Sequence, residues 1–151
     1  MSVNTSAGSK LFIGTTASNG ASDSYTEVAE ITNIGEFGRQ YNEITFTSLS
    51  DRNVRKFKGS RNDGNITLQL GRSAGDAGQA AAVVALDDDQ DYNFKITLND
   101  DSGVSGSTPT TFIFKAKVMS YVTNVGGPDQ VVQATMQLGI KSGSITETAS
   151  T

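Results

Sequence analysis

The sequence predicts a mainly β domain: an antiparallel β-sandwich or barrel with one flanking α-helix. Three observations carry that expectation. Apolar residues fall at alternate positions in four segments, the period of a strand with one face buried and the other wet. Sixteen glycines against two prolines, with only 19% charged residues, describe a turn-rich chain. A single stretch changes to helical spacing. At 151 residues the chain fits one domain able to bury about two-thirds of its unfolded surface.

Taken in order, residues 1–9 are small and polar, too poor in apolar groups to offset ordering entropy, and read as a mobile N-terminal arm. The β domain then spans 10–140. Its first strand candidates, Lys10 to Gly14, Tyr25 to Ile31 and Glu43 to Thr47, alternate irregularly. Residues 48–64, SLSDRNVRKFKGSRNDG, read as a long basic loop. Loops beyond about 12 residues in a compact domain are usually functional or disordered. In Asn65 to Leu70 the apolar Ile66, Leu68 and Leu70 share one face.

Residues 74–86 break the β pattern. Ser73, followed by Asp76, resembles a capping box, and Ala77, Ala80, Ala81, Val84 and Ala85 recur at helical spacing up to Leu86. Tyr92, Phe94, Ile96 and Leu98 then alternate with Asn93, Lys95 and Thr97. Phe112, Phe114, Ala116, Val118 and Val122 line one face of a long strand, and Val132, Ala134, Met136, Leu138 and Ile140 line another. The segment Asn124-Val125-Gly126-Gly127-Pro128-Asp129 joins these two as a hairpin turn, since glycine permits positive φ and proline cannot donate to a ladder. Residues 141–151 read as a mobile C-terminal tail.

Composition excludes much chemistry. Without cysteine there are no disulfides, thiolate nucleophiles or usual structural zinc sites, and without histidine there is no Ser-His-Asp or His-metal arrangement. No catalytic, cofactor or metal site is expected. A net charge of −4 gives no global reason to grip nucleic acid. No apolar run approaches the roughly 20 residues of a membrane span, and Met1 to Lys10 lacks the apolar core of a signal peptide, which reads as a soluble protein made in a cytoplasm.

The candidate site is the basic loop. Arg52, Val54, Arg55, Lys56, Phe57, Lys58 and Arg61 mix cations with apolar groups, which suits docking onto another copy, with nucleic-acid binding and a merely solvated loop as alternatives. Asp87, Asp88, Asp89 and Asp91, with Asp100 and Asp101, lack the glycine and closing glutamate of a calcium loop and read as exposed turns. Gly71 to Gly78 joins a strand to a helix but lacks the lysine and Ser/Thr of a phosphate-binding loop.

The order of these pieces resembles the phage major tail tube protein family. The resemblance rests on Glu36 to Ser50 (EFGRQYNEITFTSLS) and on Val54 to Leu70 (VRKFKGSRNDGNITLQL), with the helix and the closing pair of long strands following in the family's order. Phe57, Gly59, Asp63 and Gly64 take the places of the family's turn motif, ahead of Asn65, Ile66, Leu68 and Leu70. The resemblance implies a tail tube-like fold and a non-enzymatic virion protein, assembled in the host cytoplasm into stacked hexameric rings of a long non-contractile tail. It further implies a tape measure protein in the lumen, tail terminator and distal tail proteins as partners, and DNA passing without specific binding. The loop 48–64 would reach the adjacent ring. Tube proteins of contractile tails and secretion systems share the architecture. A monomeric β-sandwich module binding carbohydrate or a receptor stands second, and a carboxylate-using enzyme third. The binding module lacks support from tryptophan, of which the chain has none.

Overall fold

The computed structural model describes residues 3–151. Twelve elements follow one another: β1 (Lys10–Ile13), a 3-10 turn (Gly20–Ser22), β2 (Thr26–Val28), β3 (Ile31–Asn33), β4 (Tyr41–Thr47), β5 (Val54–Arg61), β6 (Asn65–Gly71), α1 (Ala77–Leu86), β7 (Tyr92–Thr97), β8 (Thr111–Asn124), β9 (Gln133–Ile140) and β10 (Thr146–Thr148). The fold is mainly β and antiparallel with one flanking helix, as the alternation predicts. Eight strands form one sheet in the order β2-β1-β7-β8-β9-β6-β3, with β10 added to β8, while β4 and β5 pair only with each other.

The long strand β8 belongs to both halves of the sheet. Its first part pairs with β7, from Thr111↔Thr97 to Ala116↔Tyr92. Its later part pairs with β9, from Ala116↔Ile140 to Asn124↔Gln133. Inward residues of both halves meet in one core, where Leu11, Ile13, Phe94, Ile96 and Phe114 join Ile66, Leu68, Leu70, Met136 and Leu138. Phe94 stacks on Phe114 with centroids 5.9 Å apart, and Phe37 meets Phe112 edge-on at 5.0 Å.

The β8–β9 pairing shifts register between Val118 and Ser120. A bulge adds one residue to one strand and so reverses which side chains face the core beyond it. Tyr121 therefore packs against the core opposite Met136. Val122, expected inside, stands outside at 61% exposure. The candidate strand Tyr25 to Ile31 is likewise two strands, broken at Ala29-Glu30, where Glu30 takes φ 63°.

Helix α1 starts at Ala77, not at 74, and its N-cap is Asp76, not Ser73. The Asp76 carboxylate accepts from the N–H of Gln79 at 2.9 Å and of Ala29 at 3.1 Å, so one side chain caps the helix and ties it to the β2–β3 junction. The buried face is also rotated from the one the alanine spacing suggests. Gly78, Gln79, Ala82 and Ala85 are buried, whereas Ala77, Ala80 and Val84 face out. Two contacts fix that rotation. Gly78 lies directly on the backbone of Glu27 and Val28. Gln79, fully buried, uses its whole amide: Oε1 accepts from Ser73 N–H (2.9 Å) and Tyr121 O–H (3.0 Å), and Nε2 donates to the carbonyls of Ala29 (3.1 Å) and Gly71 (2.9 Å).

The ends are less free than their composition suggests. Of the arm 1–9, residues 1 and 2 lie outside the described residues. Beyond them Ser9 N–H bonds the Ser6 carbonyl, and Asn99 Nδ2 donates to the Ala7 carbonyl. The C-terminal stretch 141–151 is not a free tail: β10 pairs with β8, Ile145 packs on the core, and Thr151 donates its N–H to the Thr108 carbonyl while its Oγ1 accepts from Thr108 N–H. Backbone pairing orders it where apolar content alone would not.

Gly78→Ala tests the close approach. Alanine in a helix interior ordinarily stabilises by about 1 kcal/mol over glycine. Here the added methyl runs into the Glu27 carbonyl, so the variant is expected to lose about 2 kcal/mol, read as a lower urea midpoint. A raised midpoint would show that the contact is slack.

Candidate assembly surface

The region expected as a loop over 48–64 is mostly strand. Val54–Arg61 is β5, paired with β4 from Thr47↔Val54 to Tyr41↔Arg61, and the connecting turn covers only 48–53. The basic side chains hid the strand, because neither face of this hairpin is buried and no apolar alternation on β5 survives. The product is a two-stranded ribbon separate from the main sheet.

Register divides the ribbon into two unlike faces. Ile44 stands opposite Phe57, with Phe46 opposite Arg55 on the same side. Ile44, Phe46 and Phe57 are 53%, 54% and 54% exposed. The other face carries Glu43 opposite Lys58, Thr45 opposite Lys56, and Val54 opposite Thr47. Five cations and two carboxylates lie between Tyr41 and Arg61, so the hairpin is basic while the rest of the chain is acidic.

Most of those cations have partners within the ribbon. Arg55 pairs with Asp51 at 2.8 Å and Lys56 with Glu43 at 3.2 Å. Lys58 lies 5.2 Å from the centroid of the Tyr41 ring. Arg52 is in the turn with φ 58°, and its N–H bonds the Ser48 carbonyl. Leu49, at the same tip, is fully exposed. Pairing of this kind leaves few free donors for phosphate, so the basic composition overstates the ribbon's pull on nucleic acid.

The root of the ribbon is held by Asp63. Its buried carboxylate accepts from Arg61 Nε (2.9 Å) and Nη2 (3.0 Å), from Gln40 N–H (3.3 Å) and from Gly143 N–H (3.1 Å). Asp63 N–H in turn donates to Ser142 Oγ at 3.2 Å. The bidentate Arg61 guanidinium, helped by the two backbone donors, holds the Asp63 carboxyl below the ordinary carboxylate value of 3.8 against the opposing effect of burial. Gly64 follows with φ 74°, a conformation glycine adopts without cost. Gly59 sits at a bulge in β5, where a Cβ would press on the Ile44 side chain and the Asn42 carbonyl.

The structure thus brings Val54, Arg55, Lys56, Phe57, Lys58 and Gly59 onto one ribbon and places Arg61, Asp63 and Gly64 at its root. Tyr41, Ile44 and Phe46 belong to the same surface and were missed by the sequence reading. The alternation Ile44-x-Phe46 was their signal, once Phe57 is understood as a strand residue opposite Ile44.

The acidic clusters elsewhere among the described residues are taken up in local bonds. Asp88 accepts from Tyr92 O–H and Gln90 N–H, Asp91 pairs with Lys117 at 2.6 Å, and Asp100 bonds the N–H and hydroxyl of Thr110. Among the described residues no group of three or more carboxylates is placed to hold a metal, and no helix is long and apolar enough to cross a membrane. A groove of about 520 Å³ beside Ile31, Asn33, Phe37 and Leu98 is lined without a titratable side chain.

No family model matches the chain, and no curated protein does. Solved structures do match, at low identity. A chain of the anti-feeding prophage baseplate (6-fold symmetrised) superposes with TM-score 0.73 at 16% identity, covering 99% of this chain and 97% of that one. A chain from the sheath/tube terminator of the PVC extracellular contractile injection system, in its extended state, gives 0.72 at 15% identity over 99% of both. The SPP1 tail tube gives 0.65 at 16% identity, covering 93% of this chain and 77% of that one.

Asp63→Asn tests the root. The folded carboxyl titrates below its unfolded value, so its contribution to stability is complete above about pH 4 and is lost as pH falls through the folded value. The variant, which cannot hold Arg61 as an ion pair, is expected to lose about 2 to 3 kcal/mol at neutral pH, less than a fully dry pair because Arg61 remains partly solvated. Its stability should also fall less steeply than the parent's as pH drops below 4. Parallel acid profiles for the two proteins would remove Asp63 from this role. With its β core, flanking helix and detached ribbon, this chain has the fold of the tail tube proteins.

Proposed function

We propose that the chain is a structural subunit of a tail tube, the major tube protein of a long non-contractile phage tail. The observation that carries this reading is the ribbon β4–β5. It leaves the main sheet, pairs with no other strand among the described residues, and holds Ile44, Phe46 and Phe57 half-exposed on one face. An apolar, positively charged projection on an otherwise acidic body fits a second copy of the same chain. Arg52, Val54, Arg55, Lys56, Phe57, Lys58 and Arg61 lie on or beside that docking surface, and Gly59, Asp63 and Gly64 set its shape and angle.

A contact between unlike patches on identical subunits does not close on itself, and so it propagates as a filament. Hexameric rings stacked through the ribbon would give the hollow tube. In that setting the partners are further copies, a tape measure protein in the lumen, terminator and distal tail proteins at the ends, and DNA in transit to the host. The site of action is the virion tail, after assembly in the host cytoplasm.

A second reading, the inner tube of a contractile system, is favoured by one observation. The match given above with TM-score 0.72 comes from an extracellular contractile injection system. Both readings share the ribbon and the ring. The monomeric binding module gains no comparable support, since the groove beside Ile31, Asn33, Phe37 and Leu98 has no ionisable side chain.

Negative-stain electron microscopy at high protein concentration tests the tube. The parent chain is expected to form hollow rings or tubes. A variant carrying Ile44→Ser with Phe57→Ser, both side chains being exposed, is expected to keep its β-rich circular dichroism and remain monomeric. Monomers from the parent under all conditions would favour the binding module, and tubes from the double variant would remove the ribbon from assembly.

A further inference from the structure

Asn93 is a fully buried amide on the outer face of β7, the side turned away from the core residues Phe94 and Ile96. Strand alternation puts Lys95 on the same side, and register sets Asn93 directly opposite Lys115 of β8. The segment 14–25 straps this face and covers the amide. Gly14 N–H donates to the Asn93 carbonyl at 2.7 Å, and Asn93 N–H donates to the Thr15 carbonyl at 3.0 Å. Gly20 lies so close that a Cβ there would stand 3.2 Å from Asn93 Oδ1. Lys95 rests against the rings of Phe12 and Tyr25, 4.6 Å and 4.7 Å from their centroids.

Lys115 is used differently. Its Nζ donates to Asn93 Oδ1 at 3.0 Å and to the Ala17 carbonyl at 2.9 Å, and among the described residues it forms no ion pair with a carboxylate. The other end of the amide meets the acid. Asn93 Nδ2 donates to Asp23 Oδ2 and to the Ala17 carbonyl, both at 2.8 Å. Burial alone would raise the Asp23 carboxyl, but hydrogen bonds from Asn93, Thr15 and Ser24 outweigh it and hold the group at about 2. An amine thus sits on the carbonyl oxygen of a clamped amide, and a carboxylate sits on its nitrogen.

We propose that Lys115 and Asn93 react to form an isopeptide bond that joins β7 to β8 through their side chains, with Asp23 carrying the proton. The neutral amine swings from Oδ1 to Cγ, and a bond forms between Nζ and Cγ. The proton released from Nζ passes to the Asp23 carboxylate and then to Nδ2, the Cγ–Nδ2 bond breaks, and ammonia leaves. Amine and primary amide become secondary amide and ammonia, with no oxidation or reduction and no co-reactant. Such an exchange is very slow between separate molecules, but the fold holds nucleophile, amide and proton carrier in contact before it begins. A cavity of about 220 Å³ bordered by Asn19, Asn93, Lys115 and Ser144 gives the amine room to move and ammonia a way out. The bond closes residues 93–115 into a covalent ring. All three residues belong to one chain, so the inference stands apart from the tube reading.

Mass spectrometry of the full chain tests the bond, after prolonged incubation at mildly alkaline pH, where more of any lysine amine is neutral. The parent is expected to be lighter than its sequence by one molecule of ammonia. Trypsin should then release residues 73–95 joined to 96–117, because cleavage after a linked Lys115 is blocked. The peptide map decides the matter, since a succinimide at Asn19-Gly20 would lose the same ammonia without joining strands. Lys115→Arg keeps a charge and donors but no such nucleophile, and is expected to retain the parent's circular dichroism and release 73–95 free. Asp23→Asn is expected to form the link about 100-fold more slowly, and an equal rate would overturn the part given to Asp23. A folded parent that still releases 73–95 and 96–115 as separate peptides would overturn the bond, leaving Lys115, Asn93 and Asp23 as a hydrogen-bond network alone.

Discussion

The buried amide of Gln79 is the constraint on which the rest of the domain depends. Helix α1 offers the sheet alanines and a glycine, which bury little apolar area and specify rotation poorly. Gln79 supplies what area does not. Its four hydrogen bonds reach the turn after β6, the β2–β3 junction, the end of β6 and the hydroxyl of Tyr121 on β8. A buried amide with all four capacities used fixes one arrangement, because any other leaves a desolvated donor or acceptor unpaired. Asp76 reinforces it by capping the helix and bonding Ala29 at once. The bulge in β8 belongs to the same design, since it turns Tyr121 inward to meet Gln79.

With the body fixed in this way, the chain can separate its surfaces by chemistry. Cations concentrate on a ribbon that projects, where they are largely paired with Asp51, Glu43 and the Tyr41 ring. Lysines of one sheet face lie under a strap. The remaining sheet face, with Thr67 opposite Gln137 and Gln69 opposite Thr135, is neutral. These surfaces come from different strand pairs, yet their chemical division follows from the strand period alone: core residues take one parity and each surface is written in the other.

How much of this was legible in the sequence depends on whether a segment buries one face. β6, β7 and β9 could be read from Ile66-x-Leu68-x-Leu70, Phe94-x-Ile96 and Met136-x-Leu138 because each alternation marks a real boundary between core and water. β5 could not, because a ribbon wet on both faces has no such boundary and its lysines read as loop. Val122 was misplaced because a one-residue bulge leaves no mark in the hydrophobic pattern. Helix α1 was visible, but its rotation was not, since Ala80, Ala82 and Val84 are too alike in size and polarity to say which packs. Gln79 escaped notice, and Asp63 was read as a turn residue with no sign of its burial, for a related reason: a buried polar side chain looks like a surface residue until its partners, brought from distant parts of the chain, are in place.

Asp63 joins parts of the chain that would otherwise respond separately to load. Its carboxylate grips Arg61 and Gln40 at the foot of the ribbon and Gly143 in the segment leading to β10, which is itself laced to β8. The ribbon is thus a lever whose fulcrum is shared with the C-terminal strand. In the proposed assembly, tilt or torque applied to the ribbon would pass through Asp63 into the C-terminal segment and so into the long central strand.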